Sequence, residues 1–188
     1  MKRTAAIFLA TGLLGTTSGP AVALPSEAAG SYLERAGSAC DALRRKVLTV
    51  AEARPDFDAA RLSLGLGPAG ANGESEGFVG EGREAQRRSL RLTSGRSGDT
   101  VICSASVTGL DLDGDALTER VRAHASVLVP GPVVVQSAPA AFGARGRVAS
   151  YILDQQLFLM VRSEPGDPAQ ANDPDVVLFI MTWMAPVG

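Results

Sequence analysis

Cys40 and Cys103 are the two cysteines of the chain, and their chemistry is the most specific that the sequence offers. Both fall where the surrounding pattern predicts a packed face. Two such thiols favour a disulfide bond in a chain whose first 23 residues have the features of a signal peptide, as described below. A catalytic thiol is the alternative. It would need a neighbouring base, and an apolar environment raises the pKa of a thiol instead of lowering it. We therefore predict a Cys40–Cys103 disulfide, which would close a loop of about 63 residues.

His124 is the only histidine, so it is the one imidazole that could serve as a general base near neutral pH. It lies at the edge of the apolar stripe of a predicted helix. No G-x-S-x-G motif accompanies it, and the sequence has no group of histidines and cysteines that could hold a metal. We expect an ordinary boundary residue, and we predict no catalytic residue, no metal site and no cofactor.

A glycine motif at 65–70 matches the dinucleotide-binding pattern G-x-G-x-x-G letter for letter. That fingerprint needs a strand before it and a helix after it, because the helix N-terminus holds the pyrophosphate. Here the preceding segment has a helical pattern, no helical period follows, and Pro68 lacks an amide that a phosphate would use. The motif therefore predicts no nucleotide site.

Three aspartates occupy the first three ligand positions of a calcium-binding loop: Asp111, Asp113 and Asp115. Position six is Ala116, where the loop needs glycine, and position twelve is Arg122, where it needs glutamate. We expect a helix start here instead, since carboxylates are favourable near the positive end of a helix.

Two helices and five strands are predicted to position these residues. The first helix carries Cys40 on an apolar stripe and starts from a capping box at 31–34. It should stop near Arg54, because Pro55 disfavours helix at the residue before it. The second helix runs from about Asp115 to Leu128. Alternating or continuous apolar residues predict the strands at 88–93, 100–107, 147–153, 157–162 and 175–184.

The element order α-β-β-α-β-β-β predicts an α+β fold, with an antiparallel or mixed sheet of about five strands and helices mainly on one face. The segment 133–135 could add a short edge strand. Residues 55–87 are rich in glycine, and we expect a flexible insert there, with a short helix over 57–66. Many unrelated proteins share this order of elements, so it does not by itself indicate a function.

Residues 1–23 have the features of a signal peptide, with a short basic start and an apolar segment at 5–15. That segment is too short to span a bilayer, and Ala21-Val22-Ala23 fits the rule for cleavage before Leu24. An N-terminal membrane anchor is the alternative. We expect a single periplasmic or secreted domain over 24–188, without a membrane span.

The charge of this domain argues against nucleic acid as a partner. Lys2 and Arg3 are the only charged residues of 1–23, so cleavage changes the net charge from −2 to about −4. Phosphates need a basic face, which a mildly acidic domain rarely provides. Glutamates at 81 and 84 interrupt the one cluster of arginines, so we expect a solvated surface there. The cluster consists of Arg83, Arg87, Arg88, Arg91 and Arg96.

The last two strands are apolar at both alternating sets of positions, over 157–161 and 176–181. One face can pack under the helices, but the other face also needs a cover. The candidate covers are the glycine-rich insert, a second copy of the chain, another protein or an apolar ligand. The side chains that we assign to this face are Phe158, Met160, Phe179, Met181 and Trp183.

We therefore predict an exported, non-catalytic binding or interaction protein. The alternative from another class is a small periplasmic hydrolase that uses carboxylates such as Asp111, Asp113 or Glu164. That activity requires two carboxylates to converge in one cleft, with the pKa of at least one displaced.

Overall fold

Three helices and seven strands form within the described residues of the computed structural model. The structure describes residues 25–70, 74–79, 86–96, 98–110, 112–131, 133–137, 147–154, 157–164, 166 and 174–185. The helices are α1 (Pro25–Arg45), α2 (Val50–Ser63) and α3 (Gly114–Leu128). The strands are β1 (Glu74–Val79), β2 (Gln86–Ser94), β3 (Thr100–Gly109), β4 (Val133–Ser137), β5 (Arg147–Asp154), β6 (Leu157–Glu164) and β7 (Asp175–Met184). The predicted signal peptide lies outside the described residues.

The strands form one antiparallel sheet in the order β1-β2-β3-β7-β6-β5-β4. The last strand, β7, lies between β3 and β6 and joins the two halves of the sheet. The predicted α+β class is confirmed. The number of strands was underestimated, because β1 arises inside the predicted flexible insert, where glycine obscures the alternation, and pairs with β2 along its whole length. At the opposite edge, β4 covers the segment 133–135.

The predicted first helix is two helices. α1 ends at Arg45, and α2 starts at Val50 with Thr49 as its N-cap. The Thr49 hydroxyl accepts a hydrogen bond from the Glu52 amide, and the Glu52 carboxylate accepts one from the Thr49 amide. This reciprocal pair is a capping box, which satisfies two of the free amides of the first turn.

Two expectations about these helices were wrong. Ser31 does not cap a helix, because α1 already begins at Pro25 and Ser31 lies in its interior. Pro55 does not end a helix either. It lies in the second turn of α2, where the helix that precedes it is short and only one hydrogen bond of the ladder is lost.

Val47 lies in the turn between α1 and α2 with a φ of 51°, a left-handed conformation that branched residues rarely adopt. That conformation costs a non-glycine residue about 1–2 kcal/mol. Glycine loses about 0.5–1 kcal/mol more on ordering, which offsets part of the gain. We expect Val47→Gly to raise the free energy of unfolding by about 0.5–1 kcal/mol in urea denaturation.

Val127 is the matched control for this substitution, since it is also an exposed valine but lies in the regular helix α3. Val127→Gly should lower the free energy of unfolding, because a helical position gains nothing from glycine. A loss of stability in Val47→Gly similar to that in Val127→Gly would contradict the assigned strain.

α3 begins at Gly114, one residue from the predicted start. Asp113 is its N-cap, and the carboxylate of Asp113 accepts a hydrogen bond from the Ala116 amide at 2.9 Å. The interpretation of this segment as a helix start is thereby confirmed. Asp111, the first residue of the apparent calcium motif, lies outside the described residues.

One face of the sheet packs under the helices, and the burial of β3 alternates accordingly. Val101, Cys103, Ala105 and Val107 are buried, whereas the residues between them are half-buried. α1 contacts β3 and β7, α2 contacts β2, and α3 contacts β6 and β7. The core therefore lies between the three helices and this inner face of the sheet.

The predicted disulfide between Cys40 and Cys103 is confirmed. It links α1 to β3 with the two Cα atoms 5.7 Å apart. Neither residue has any exposed surface. The bond therefore fixes the first helix to a central strand from within the core.

Candidate functional site

The five side chains assigned to the predicted binding face do not share one surface. Phe179, Met181 and Trp183 lie on the inner face, where they are buried under the helices. The backbone register places Phe158 opposite Thr182 and Met160 opposite Ile180. Thr182 and Ile180 alternate with the three buried residues of β7. The predicted set therefore combines backbone positions from both alternating sets of the sheet, which belong to opposite faces. The assignment of Phe179, Met181 and Trp183 to an accessible face therefore needs correction.

The sheet surface directed away from the helices, which we call the outer face, is the better candidate. On β3 and β7 it carries a row of half-buried aliphatic side chains, Ile102, Leu178 and Ile180. The register puts Ser104 opposite Ile180 and Ser106 opposite Leu178, so hydroxyl groups border the aliphatic row. These residues are half-buried, so part of each side chain stays accessible.

Towards the edge at β1, the outer face becomes charged. The carboxylate of Glu76 lies 3.4 Å from Nε of Arg87, and the register places Glu74 opposite Arg91. Between this charged strip and the aliphatic row, the hydroxyls of Ser89 and Ser106 form a hydrogen bond of 2.8 Å. The outer face therefore grades from charged to hydroxyl-rich to aliphatic across four strands.

The sequence carries one local signal for this face. In β3, Ile102 is an aliphatic residue among serines and threonines on the side away from Cys103. Its neighbours on β7 could be identified only after the pairing of β3 with β7 was known, because the two strands are far apart in the chain.

Ser38 and His124 have the distance expected of a nucleophile and its base, with 3.0 Å between Oγ and Nε2. The Ser38 hydroxyl also donates a hydrogen bond to the Glu34 carbonyl. A hydroxyl has one proton, so with this bond in place the imidazole must act as the donor to Oγ. An imidazole in that role cannot accept the serine proton, which activation of a nucleophile requires. The pair therefore links α1 to α3 and gives no support to a hydrolase.

The carboxylates of the hydrolase alternative are not brought together within the described residues. The carboxylate of Asp113 caps the N-terminus of α3, and Asp111 lies outside the described residues. Glu164 is placed by its backbone alone, opposite Val176 at the end of β6. Among the described side chains, no group of three or more His, Cys, Asp and Glu residues could hold a metal ion.

Arg120 joins α3 to α1 through Glu34. Its Nε and Nη2 atoms donate to the two carboxylate oxygens at 2.7 and 2.8 Å. Gly30 permits this approach, since a Cβ at that position would lie 2.7 Å from Nη1 of Arg120. The hydrogen bonds from Arg120 hold the pKa of Glu34 below its usual value.

This lowered pKa predicts an acid-sensitive contribution to stability. A carboxyl whose pKa is lowered on folding stabilises the protein above its unfolded pKa of about 4.3, and the contribution is lost as the pH falls further. Because the pair is partly exposed, we expect Glu34→Gln to lower the free energy of unfolding by less than about 1 kcal/mol at pH 7. Urea denaturation should show a smaller difference between Glu34→Gln and the native chain near pH 3.

Glu119→Gln is the control for this experiment, because Glu119 pairs with Arg122 on the same helix and does not join two helices through that pair. Its loss of stability at pH 7 should be smaller than that of Glu34→Gln. A destabilisation by Glu34→Gln that is equal at both pH values would contradict a role for the charged carboxylate.

Among the helices of the described ranges, none has the length and hydropathy that crossing a bilayer requires. No family model, curated protein or solved structure matches the chain.

Proposed function

We propose that this chain is an exported, non-catalytic binding protein whose outer face docks a protein partner. The observation that carries the proposal is the row of Ile102, Leu178 and Ile180 on two central strands. These side chains lie on the opposite side of the sheet from the helical layer, so the core does not account for them. The predicted signal peptide and the Cys40–Cys103 bond both support an oxidising compartment such as the periplasm or the extracellular space.

A protein fits this face better than a small apolar ligand. Sites for small molecules are concave and enclose most of the ligand, whereas adjacent strands present an extended surface. The cores of protein interfaces are apolar and poor in charge, with a polar rim around them. The outer face has this arrangement, since serines border the aliphatic row and Arg87 and Arg91 lie beyond them.

The test begins with two variants, each of which carries one photoreactive amino acid that can cross-link a bound protein. One variant has it at position 180 on the outer face, and the control has it at position 127 on the exposed surface of α3. In cells that naturally make the protein, we expect one protein to cross-link at 180 and not at 127. Binding is then measured with the two purified proteins. Ile180→Asp should weaken the affinity about tenfold or more, whereas Val127→Asp should leave it unchanged.

Circular dichroism must show a native fold for each variant, and Leu178→Ser replaces Ile180→Asp if the aspartate prevents folding. An affinity that these folded variants leave unchanged would refute the proposal. Native mass spectrometry of the purified chain tests the two other possible occupants of the outer face. A second copy of the chain would double the mass, and an apolar ligand would add a lipid-sized mass. Either result, in place of a distinct protein partner, would contradict the proposal.

A further inference from the structure

Arg88 differs from Arg87, Arg91 and Arg96, the other described arginines of its cluster, because it is half-buried on the inner face of β2 whereas they are exposed. Its guanidinium carbon lies 5.3 Å from the centre of the Tyr32 ring of α1. The Nε atom is buried and has no hydrogen-bond partner. Nη2 makes a long contact of 3.4 Å with Oε1 of Gln86. The guanidinium is therefore held in place by a ring and an amide, with much of its donor capacity unused.

The charge of Arg88 has no carboxylate partner among the described residues. Burial lowers the pKa of Arg88, Tyr32 opposes this shift, and the positive charge of Arg35 lowers the pKa further. Arg35 follows Tyr32 by one turn on α1 and donates a hydrogen bond to the Ser63 carbonyl. Tyr32 and Arg35 are one turn apart on the same side of α1, so the guanidinium over the Tyr32 ring and the Arg35 side chain place two positive charges along this side of the helix. That arrangement is unfavourable unless negative charge is supplied.

We propose that Arg88 and Arg35 form a binding site for a small oxyanion, either a carboxylate or a phosphate group, at the junction of α1 and β2. The terminal nitrogens of Arg88 present parallel N–H donors that suit the two oxygens of such a group. The Tyr32 ring orients the guanidinium by a cation–π contact and fixes its position before the anion arrives. The Tyr32 hydroxyl is engaged with the Ser89 carbonyl at 2.6 Å, which anchors the ring to β2. This site is separate from the outer face and does not depend on the proposed partner.

The experiment titrates the full mature chain with inorganic phosphate and, separately, with acetate at constant ionic strength. Isothermal titration calorimetry should show saturable binding of at least one of them, and the stronger one identifies the class of oxyanion. Arg88→Lys keeps the charge but loses the fork of donors, so it should weaken binding about tenfold. Arg35→Met should also weaken binding.

Arg91→Met is the matched control, because Arg91 is an exposed arginine on the same strand, at a register position opposite Glu74. It removes the same charge as Arg35→Met and should leave the anion affinity within about twofold. Equal weakening by Arg91→Met and Arg35→Met would show a nonspecific effect of charge and overturn the proposal. The absence of saturable binding of both phosphate and acetate to the native chain would also overturn it.

Discussion

Reduction of the Cys40–Cys103 disulfide is expected to lower the free energy of unfolding by about 4 kcal/mol. The bond closes a loop with a sequence separation of 63, and in the chain-entropy model a loop of that length restricts the unfolded chain strongly. The loop contains the whole of α2, β1 and β2, so the bond holds these elements to the centre of the sheet. Such a loss is a large share of the stability of an ordinary domain.

Denaturation in urea with and without a strong reductant measures this effect, with thiol quantification to confirm complete reduction. Because both cysteines are buried, reduction should require unfolding or long incubation. The variant that carries both Cys40→Ala and Cys103→Ala is the control, and its unfolding midpoint should not respond to the reductant. A fully reduced native chain with an unchanged midpoint would show that the bond does not contribute to stability.

Phe179→Ala should lower the free energy of unfolding by about 3–5 kcal/mol, since it leaves a large cavity in the core. Phe179 has no exposed surface, and it lies between Ala105 and Val161 in the register. Its ring also packs closely on α1, because a Cβ at Gly37 would lie 3.3 Å from it. The side chain is thus in contact with the helical layer as well as with the sheet.

Ile180→Thr is the matched control for Phe179→Ala. Ile180 is the next residue of β7 but lies on the outer face, so its replacement should cost about 1 kcal/mol or less. Thermal or urea denaturation of the two variants therefore tests which side of β7 faces the helices. A loss from Ile180→Thr as large as that from Phe179→Ala would mean that the outer face is buried, and it would undermine the proposed docking surface.

Local patterns were sufficient for several elements of this protein. The alternation around Cys103 predicts both the strand and the buried side of it, because successive side chains of a strand point to opposite faces. The repeat of apolar residues around Cys40 predicts a helix with that cysteine on its packed side. With only two cysteines in the chain, those two assignments determine the disulfide. Asp113 likewise predicts the start of α3, since a cap is a local interaction.

Other local signals were ambiguous because two interpretations were each compatible with short-range chemistry. Pro55 is compatible with the end of a helix and also with an early turn of one, and the capping box at Thr49 favours the second. The glycine-rich segment predicts a loop by composition. Part of it forms β1 because backbone pairing with β2 requires no apolar side chain.

The sequence by itself determined the α+β class, the disulfide and the alternation of β3, since each follows from periodicity or from a residue count. Only the tertiary structure decided which side of β7 is buried. Both sets of alternating positions in that strand are apolar, so hydrophobicity could not distinguish Phe179 from Ile180. The pairing with β3, which is bonded through Cys103 to α1, places Phe179 under the helices and Ile180 on the outer face. The same long-range packing brings Arg88 onto Tyr32, because a contact between residues distant in the chain leaves no local pattern.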